Sequence, residues 1–175
     1  MPEGPSSFRS RIPVAALALC GCAISVYLAL FQYGVVHSVW DPIFGDGSRK
    51  VLTSAVSRVL PVSDATLGAA AYLVEAVLEL SGGRRRWHDR PWIVVLLGLT
   101  AAVLALTGVG LVIAQPILTG TFCTLCLTSA GISWLVALLV AREVGAAVRR
   151  VRELRDSGLP LPAALRGREP QRFAR

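Results

Sequence analysis

Residues 13–34 read PVAALALCGCAISVYLALFQYG, twenty-two consecutive positions without a charged side chain. A helix needs about 20 mainly apolar residues to cross about 30 Å of hydrocarbon, so this stretch alone predicts a membrane span. Three more follow, at about 64–80, 91–114 and 121–141. The second is short and carries Glu75 and Glu79, whereas the third and fourth hold no charge. The 175 residues are 54% hydrophobic and 17% charged, against about 25% charged in a soluble domain. That excludes an ordinary soluble α/β enzyme and a disordered basic tail. The expected fold is all-α, an integral membrane four-helix bundle.

The net charge of +7 would point to nucleic acid in a soluble protein; here its distribution sets orientation, and no nucleic-acid partner is expected. Arg9 and Arg11 precede the first span, Arg84, Arg85, Arg86 and Arg90 separate the second and third, and nine arginines follow Ala141. Only Arg49, Lys50 and Arg58 lie in the first loop, so fifteen of eighteen basic residues share one side. The positive-inside rule makes that side the cytoplasm. The expectation is a multi-pass cell-membrane protein with both termini cytoplasmic and with 35–63 and 115–120 facing outward. Residues 1–12 form a cytoplasmic tail and 13–141 the membrane domain. Residues 142–175 form a basic helix attracted to anionic lipid, ended by Gly158, Pro160 and Pro162, with a disordered last dozen. The first span runs past any signal-peptide core without a small-x-small cleavage site, so it is expected to be retained.

In the outer loop, Val51, Leu52, Ala55, Val56, Val59 and Leu60 make one stripe of a helix over 48–60, with Arg49, Lys50, Ser54, Ser57 and Arg58 opposite. A short amphipathic helix on the bundle's outer mouth is the reading. Trp40 and Phe44 precede it, either as headgroup anchors or as a lid.

The chemistry concentrates in Phe122-Cys123-Thr124-Leu125-Cys126-Leu127, a C-x-x-C opening the fourth span. Sulfurs three residues apart on one helical turn can bridge. The helix N-terminus favours a thiolate, and the outward side is where disulfides persist. A redox pair competes with half a zinc site, for which His37 is the only outward histidine, and with two small side chains packed in a helix. Cys20 and Cys22 point about 200° apart on a helix and are read as packing residues; no metal site is expected. Glu75 is costly at membrane depth and is read as snorkelling with Glu79 toward the arginine cluster. Asp64 reads as the N-cap of the second span, placed to offer a hydrogen bond to a ligand near Cys126.

Taken in order, Ala-Ile-Ser-Val-Tyr-Leu in the first span, the Val51-Leu52-Thr53-Ser54 helix, Leu60-Pro61-Val62, Leu67-Gly68-Ala69-Ala70-Ala71-Tyr72 and the closing C-x-x-C resemble the vitamin K epoxide reductase family in its compact four-helix form, over about Ala23 to Val140. The resemblance implies a thiol–disulfide oxidoreductase that couples disulfide formation to a membrane quinone, of menaquinone or ubiquinone type, as co-substrate. It implies Cys126 as the quinone-side cysteine and Cys123 as the one exchanging with an extracytoplasmic, thioredoxin-like thiol partner. Ser54 and Asp64 fall where residues near the quinone are expected. Two departures stand out. Trp40 and Ser48 occupy the places of the family's paired loop cysteines, and no cysteine lies between Cys22 and Cys123; Ala130 replaces a tyrosine that holds quinone in some members. The internal relay cannot run here. The alternatives are an inactive binding or assembly protein on the same scaffold and a small ligand-carrying membrane protein.

Overall fold

The computed structural model describes residues 8–54, 63–83 and 85–167. Seven helices follow one another: α1 (Phe8–Gln32), α2 (Gly47–Leu52), α3 (Asp64–Leu80), α4 (Arg86–Asp89), α5 (Pro91–Thr119), α6 (Thr124–Asp156) and α7 (Leu161–Leu165). Helices α1, α5 and α6 each contain a stretch long and apolar enough to cross a membrane. Helix α3 has 17 residues, about 26 Å at 1.5 Å per residue, and completes the bundle. The chain is a multi-pass membrane protein. Large apolar side chains face outward along the helices, Leu106 and Ile117 at 71% and 75% exposure, as the absence of a hydrophobic penalty in lipid permits.

Helix α1 packs chiefly on α3 and α5 on α6, and α1 and α6 meet across the centre. Val14, Tyr72, Leu97, Ala101, Val136 and Val140 form the shared core. Gly21 lets Tyr72 lie flat on α1, because a Cβ there would come within 2.6 Å of the ring. Cys20 and Cys22 are free thiols; Cys20 is exposed and Cys22 donates to the Ala69 carbonyl at 3.5 Å.

Four expectations change. The outer helix ends at Leu52, where Thr53 Oγ1 turns back to the Arg49 carbonyl at 2.8 Å; Ala55 to Leu60, Pro61 and Val62 lie outside the described residues, as does Arg84. Asp64 is not the N-cap of α3: Ser63 takes that place, its hydroxyl accepting from the Thr66 amide at 3.2 Å. The chain after Gly158 forms α7, which folds back on α6 and buries Ala164, so the beginning of the final dozen is ordered; residues 168–175 lie outside the described residues. Glu75 does not snorkel. It is 1% exposed, and among the described residues neither carboxyl oxygen has a hydrogen-bond partner.

At the end of the bundle opposite the C-x-x-C, two arginines are also buried. Arg86 makes a bidentate pair with Glu143, at 2.6 and 2.8 Å, and reaches Glu79 at 2.8 Å and the Leu78 carbonyl at 2.8 Å. Burial disfavours its charge, but the hydrogen bonds and the two carboxylates outweigh that and raise its pKa. Arg11 donates to the carbonyls of Glu79, Ser81 and Gly82, satisfying the open end of α3. We refer to this as the basic end and to the other as the thiol end.

Candidate functional site

Gly120, with φ +65°, terminates α5 and brings the chain round through Thr121 and Phe122 to α6. Cys123 is the N-cap of α6, its sulfur accepting from the Cys126 amide at 3.1 Å. Cys123 and Cys126 are joined as a disulfide, with Cα atoms 5.2 Å apart. A sulfur at an N-cap receives the unpaired amides of the first turn, which is the environment that stabilises a thiolate when the bridge opens. The Cys123 amide donates to Gln115 Oε1 at 2.8 Å, so the one amide side chain in α5's apolar run sets the position of the cysteine. Gln115 is recognisable in the sequence only as that interruption.

The two sulfurs have different surroundings. Cys123 is fully buried at 0% exposure. Cys126 is half-buried and forms part of the wall of a half-open cavity of about 620 Å³ between α1, α3, α5 and α6, with Leu52 of α2 at its edge. Ser25, Asp64, Tyr72, Thr107, Ser129 and Ser133 are the polar groups among its many apolar side chains. The Tyr72 hydroxyl lies 2.6 Å from the Ser129 carbonyl, 3.0 Å from Ser129 Oγ and 2.6 Å from Ser133 Oγ. Asp64 accepts from Gln32 Nε2 at 2.7 Å, and Ser63 donates to Gln32 Oε1 at 2.5 Å. Ser54 is not on this cavity. It lines a recess of about 40 Å³ that shares Leu52, Asp64, Leu111 and Cys126 with the larger one. The structure thus brings Asp64 and Cys126 to one wall, leaves Ser54 at the side and places Cys123 behind.

The loop before α2 is tied to the residues on either side of Cys123, Phe122 and Thr124, and its anchor is Asp41, a residue the sequence pattern does not single out. Asp41 Oδ2 accepts from the Ser48 hydroxyl and amide at 2.7 and 2.9 Å, while Oδ1 accepts from the Phe44 amide at 3.0 Å and from Thr124 Oγ1 on α6 at 2.5 Å. Burial alone would raise its pKa; these bonds outweigh it and hold the carboxyl well below the usual carboxylate range. An aspartate ahead of a proline turn is a local signal for such a loop, but its tie to Thr124 spans 83 residues. Phe44 packs on Phe122 with ring centroids 5.5 Å apart. At Gly47 a Cβ would lie 2.2 Å from the Phe122 carbonyl oxygen, so only glycine allows this approach. Of the two aromatics expected over the site, Phe44 packs beside it on Phe122, while Trp40 is 68% exposed. Ser48 is buried in the Asp41 clasp.

No curated protein and no solved structure matches the chain. The sequence profile of the Vitamin K epoxide reductase family matches residues 12–141, which takes in α3 and α5, most of α1, the first half of α6, the Asp41 loop and the C-x-x-C. With the helical bundle and its C-x-x-C disulfide, that match settles the lineage: the chain belongs to the vitamin K epoxide reductase family.

Proposed function

We propose that the protein is a quinone-linked thiol–disulfide oxidoreductase that supports disulfide formation on the outer face of the cell membrane, with both termini in the cytoplasm. The observation that carries this reading is the position of Cys126, which joins the buried disulfide to a four-helix cavity of about 620 Å³. That volume is within the range of small-molecule sites, and its apolar wall with a few convergent polar groups is their usual make-up. A quinone ring suits it. The Tyr72 and serine hydroxyls can donate to a quinone carbonyl, while an ionised Asp64 can accept from the O–H of the reduced form.

In the proposed cycle a thiolate from a thioredoxin-like partner attacks Cys123, forming a mixed disulfide and releasing Cys126 as a thiolate. A second partner thiol resolves it, leaving Cys123 and Cys126 reduced. Their electrons pass from Cys126 to the quinone and the bridge re-forms, so that two thiols and one quinone become one disulfide and one quinol. The quinone supplies the two-electron chemistry; the chain positions it, shields it from water and stabilises the thiolate at the start of α6. Because Cys123 is fully buried and the Asp41 loop is tied to both of its chain neighbours, exchange would proceed with that loop lifted. The partner must deliver electrons directly to the C-x-x-C, since the chain has no cysteine between Cys22 and Cys123.

Thiol trapping in native membranes tests the scheme, with Cys20→Ala and Cys22→Ala removing the background. The pair should be oxidised while quinone is available and accumulate as dithiol when it is withheld, and Cys123→Ser should abolish partner exchange. A pair locked in one state under both conditions would replace turnover with an inactive binding role on the same scaffold.

A further inference from the structure

Glu75 has no part in the cycle just described, yet it is a carboxyl group within the bundle, 1% exposed, with both oxygens lacking a hydrogen-bond partner among the described residues. A buried polar group in that state costs free energy comparable with a lost hydrogen bond or more, and ionisable residues at membrane depth ordinarily mark a functional path. Its surroundings give that path a direction. Tyr72 lies three residues away on the same face of α3, and its hydroxyl belongs to the cavity wall with Ser129 and Ser133. On the other side, Glu79 is one turn further along α3, held by Arg86, with Arg11 from α1 and Glu143 from α6 gathered there. Along the helix axis Glu75 is about 16 Å from Asp64 but only about 7 Å from Leu80.

We propose that Glu75 is a proton store for quinone reduction: it supplies protons through the Tyr72–serine hydroxyls to the quinone in the cavity and is refilled from the basic end. The proposal rests on the thiol–quinone reading above. Hydroxyls at 2.6–3.0 Å can exchange donor and acceptor roles by rotation, which is what a relay needs. The balance is explicit. Two partner thiols release two electrons and two protons at the thiol end, their disulfide forms, and the quinone gains two electrons and two protons to become quinol. If those last protons come from the basic end, two positive charges are moved across the membrane per quinol, and turnover contributes to the membrane potential.

The test uses the full-length protein in quinone-loaded liposomes with a pH dye in the lumen and valinomycin with potassium to collapse the potential. Glutathione, a charged thiol that does not cross the bilayer, is added outside, so only molecules with the thiol end outward are driven. The expected result is loss of two lumenal protons per quinol formed. In Glu75→Gln, quinol formation should fall about 100-fold, the lower end of a positioned proton donor's contribution, while the rate at which glutathione opens Cys123–Cys126 stays unchanged. Glu75→Asp should restore part of it. Tyr72→Phe, which interrupts the same path without touching Glu75, should lose quinol formation likewise and serves if Glu75→Gln does not fold. Quinol formation without lumenal alkalinisation would overturn the proton route and leave the thiol–quinone reading standing, as would wild-type rates in Glu75→Gln or in Tyr72→Phe. Glutathione opening the disulfide with no quinol formed by the unaltered protein would overturn both.

Discussion

Among the described residues one side-chain hydrogen bond joins the Asp41 loop to α6, from Thr124 Oγ1 to Asp41 Oδ1 at 2.5 Å, and the Thr124→Val substitution removes that bond with little change of shape. A hydrogen bond to a charged acceptor contributes about 1.5–3 kcal/mol, and Thr124 is partly exposed, so the lower figure applies. At 1.36 kcal/mol per tenfold, loss of about 1.5 kcal/mol raises the open population of the loop roughly tenfold. The Phe44–Phe122 contact and the approach at Gly47 stay in place and keep the loop mostly closed. The assay is alkylation of the reduced protein in detergent, with Cys123 and Cys126 quantified separately by mass spectrometry in a Cys20→Ala, Cys22→Ala background. When closing is fast relative to alkylation, the rate at Cys123 follows the open population. It should therefore rise roughly tenfold in Thr124→Val, with Cys126 as the internal standard. Thr128→Val, which removes an exposed bond to the Thr124 carbonyl at 2.9 Å, should leave it unchanged. A wild-type Cys123 that reacts as fast as Cys126, or a rate indifferent to Thr124→Val, would refute the view that this loop controls access.

Asp41 is held well below the ordinary carboxylate range, so its contribution to loop closure is present above its unfolded value, about 4, and lost as pH falls through the lower folded value. Cys123 reactivity toward an acid-tolerant pyridyl disulfide, corrected against Cys126, should be flat from about pH 8 to 5 and rise only in stronger acid; a rise centred near pH 6 would contradict this. Arg86→Met leaves Glu79 and Glu143 buried without their shared cation and should cost about 3–5 kcal/mol in detergent unfolding, with Glu143→Gln recovering part; a change below about 1 kcal/mol would show that the pair contributes little. Gly21→Ala drives a methyl into the Tyr72 ring and should destabilise, because overpacking of about 1–3 kcal/mol exceeds the helix gain of about 1 kcal/mol. In a Tyr72→Ala background the sign should reverse, and failure to reverse would disprove the contact. Asp64→Ala should weaken quinol binding more than quinone binding, read by displacement of a fluorescent quinone analogue; equal losses would argue against the acceptor role.

The helices and the chemistry were legible in the sequence because both are carried by local patterns, apolar runs of membrane length and two cysteines three residues apart at a helix start. What escaped was set by contacts distant in the chain. Asp41 gives a turn signal in its own neighbourhood, while its partner Thr124 lies 83 residues on. Ser63 and Asp64 are both good caps, and their adjacency hides which one the backbone chooses; the preference for Ser63 frees Asp64 to meet Gln32. Arg11 and Arg86 were read as topological charges on water, yet both are 1% exposed, because each guanidinium carries enough donors to satisfy the carbonyls that end α3. Glu75 looks like Glu79 in the sequence, but among the described residues Glu79 meets Arg86 and no cation reaches Glu75 within hydrogen-bonding distance.

The arginine cluster also bears on how the protein is made. Glu79 and Arg86 leave the ribosome almost together, but Glu143, which grips Arg86 with both oxygens, is 57 residues further on. At about 5–20 residues per second that is a delay of roughly 3 to 11 seconds. During it, α3 must sit in or beside the lipid with two carboxylates and an incompletely matched arginine. A helix so poorly suited to insertion on its own needs either an insertase to shelter it or late entry as a hairpin with the strongly apolar α5. Assembly is then completed by the last helix, so truncation before α6 should yield a nascent chain that quality-control proteases remove, even though three of the four bundle helices are already present.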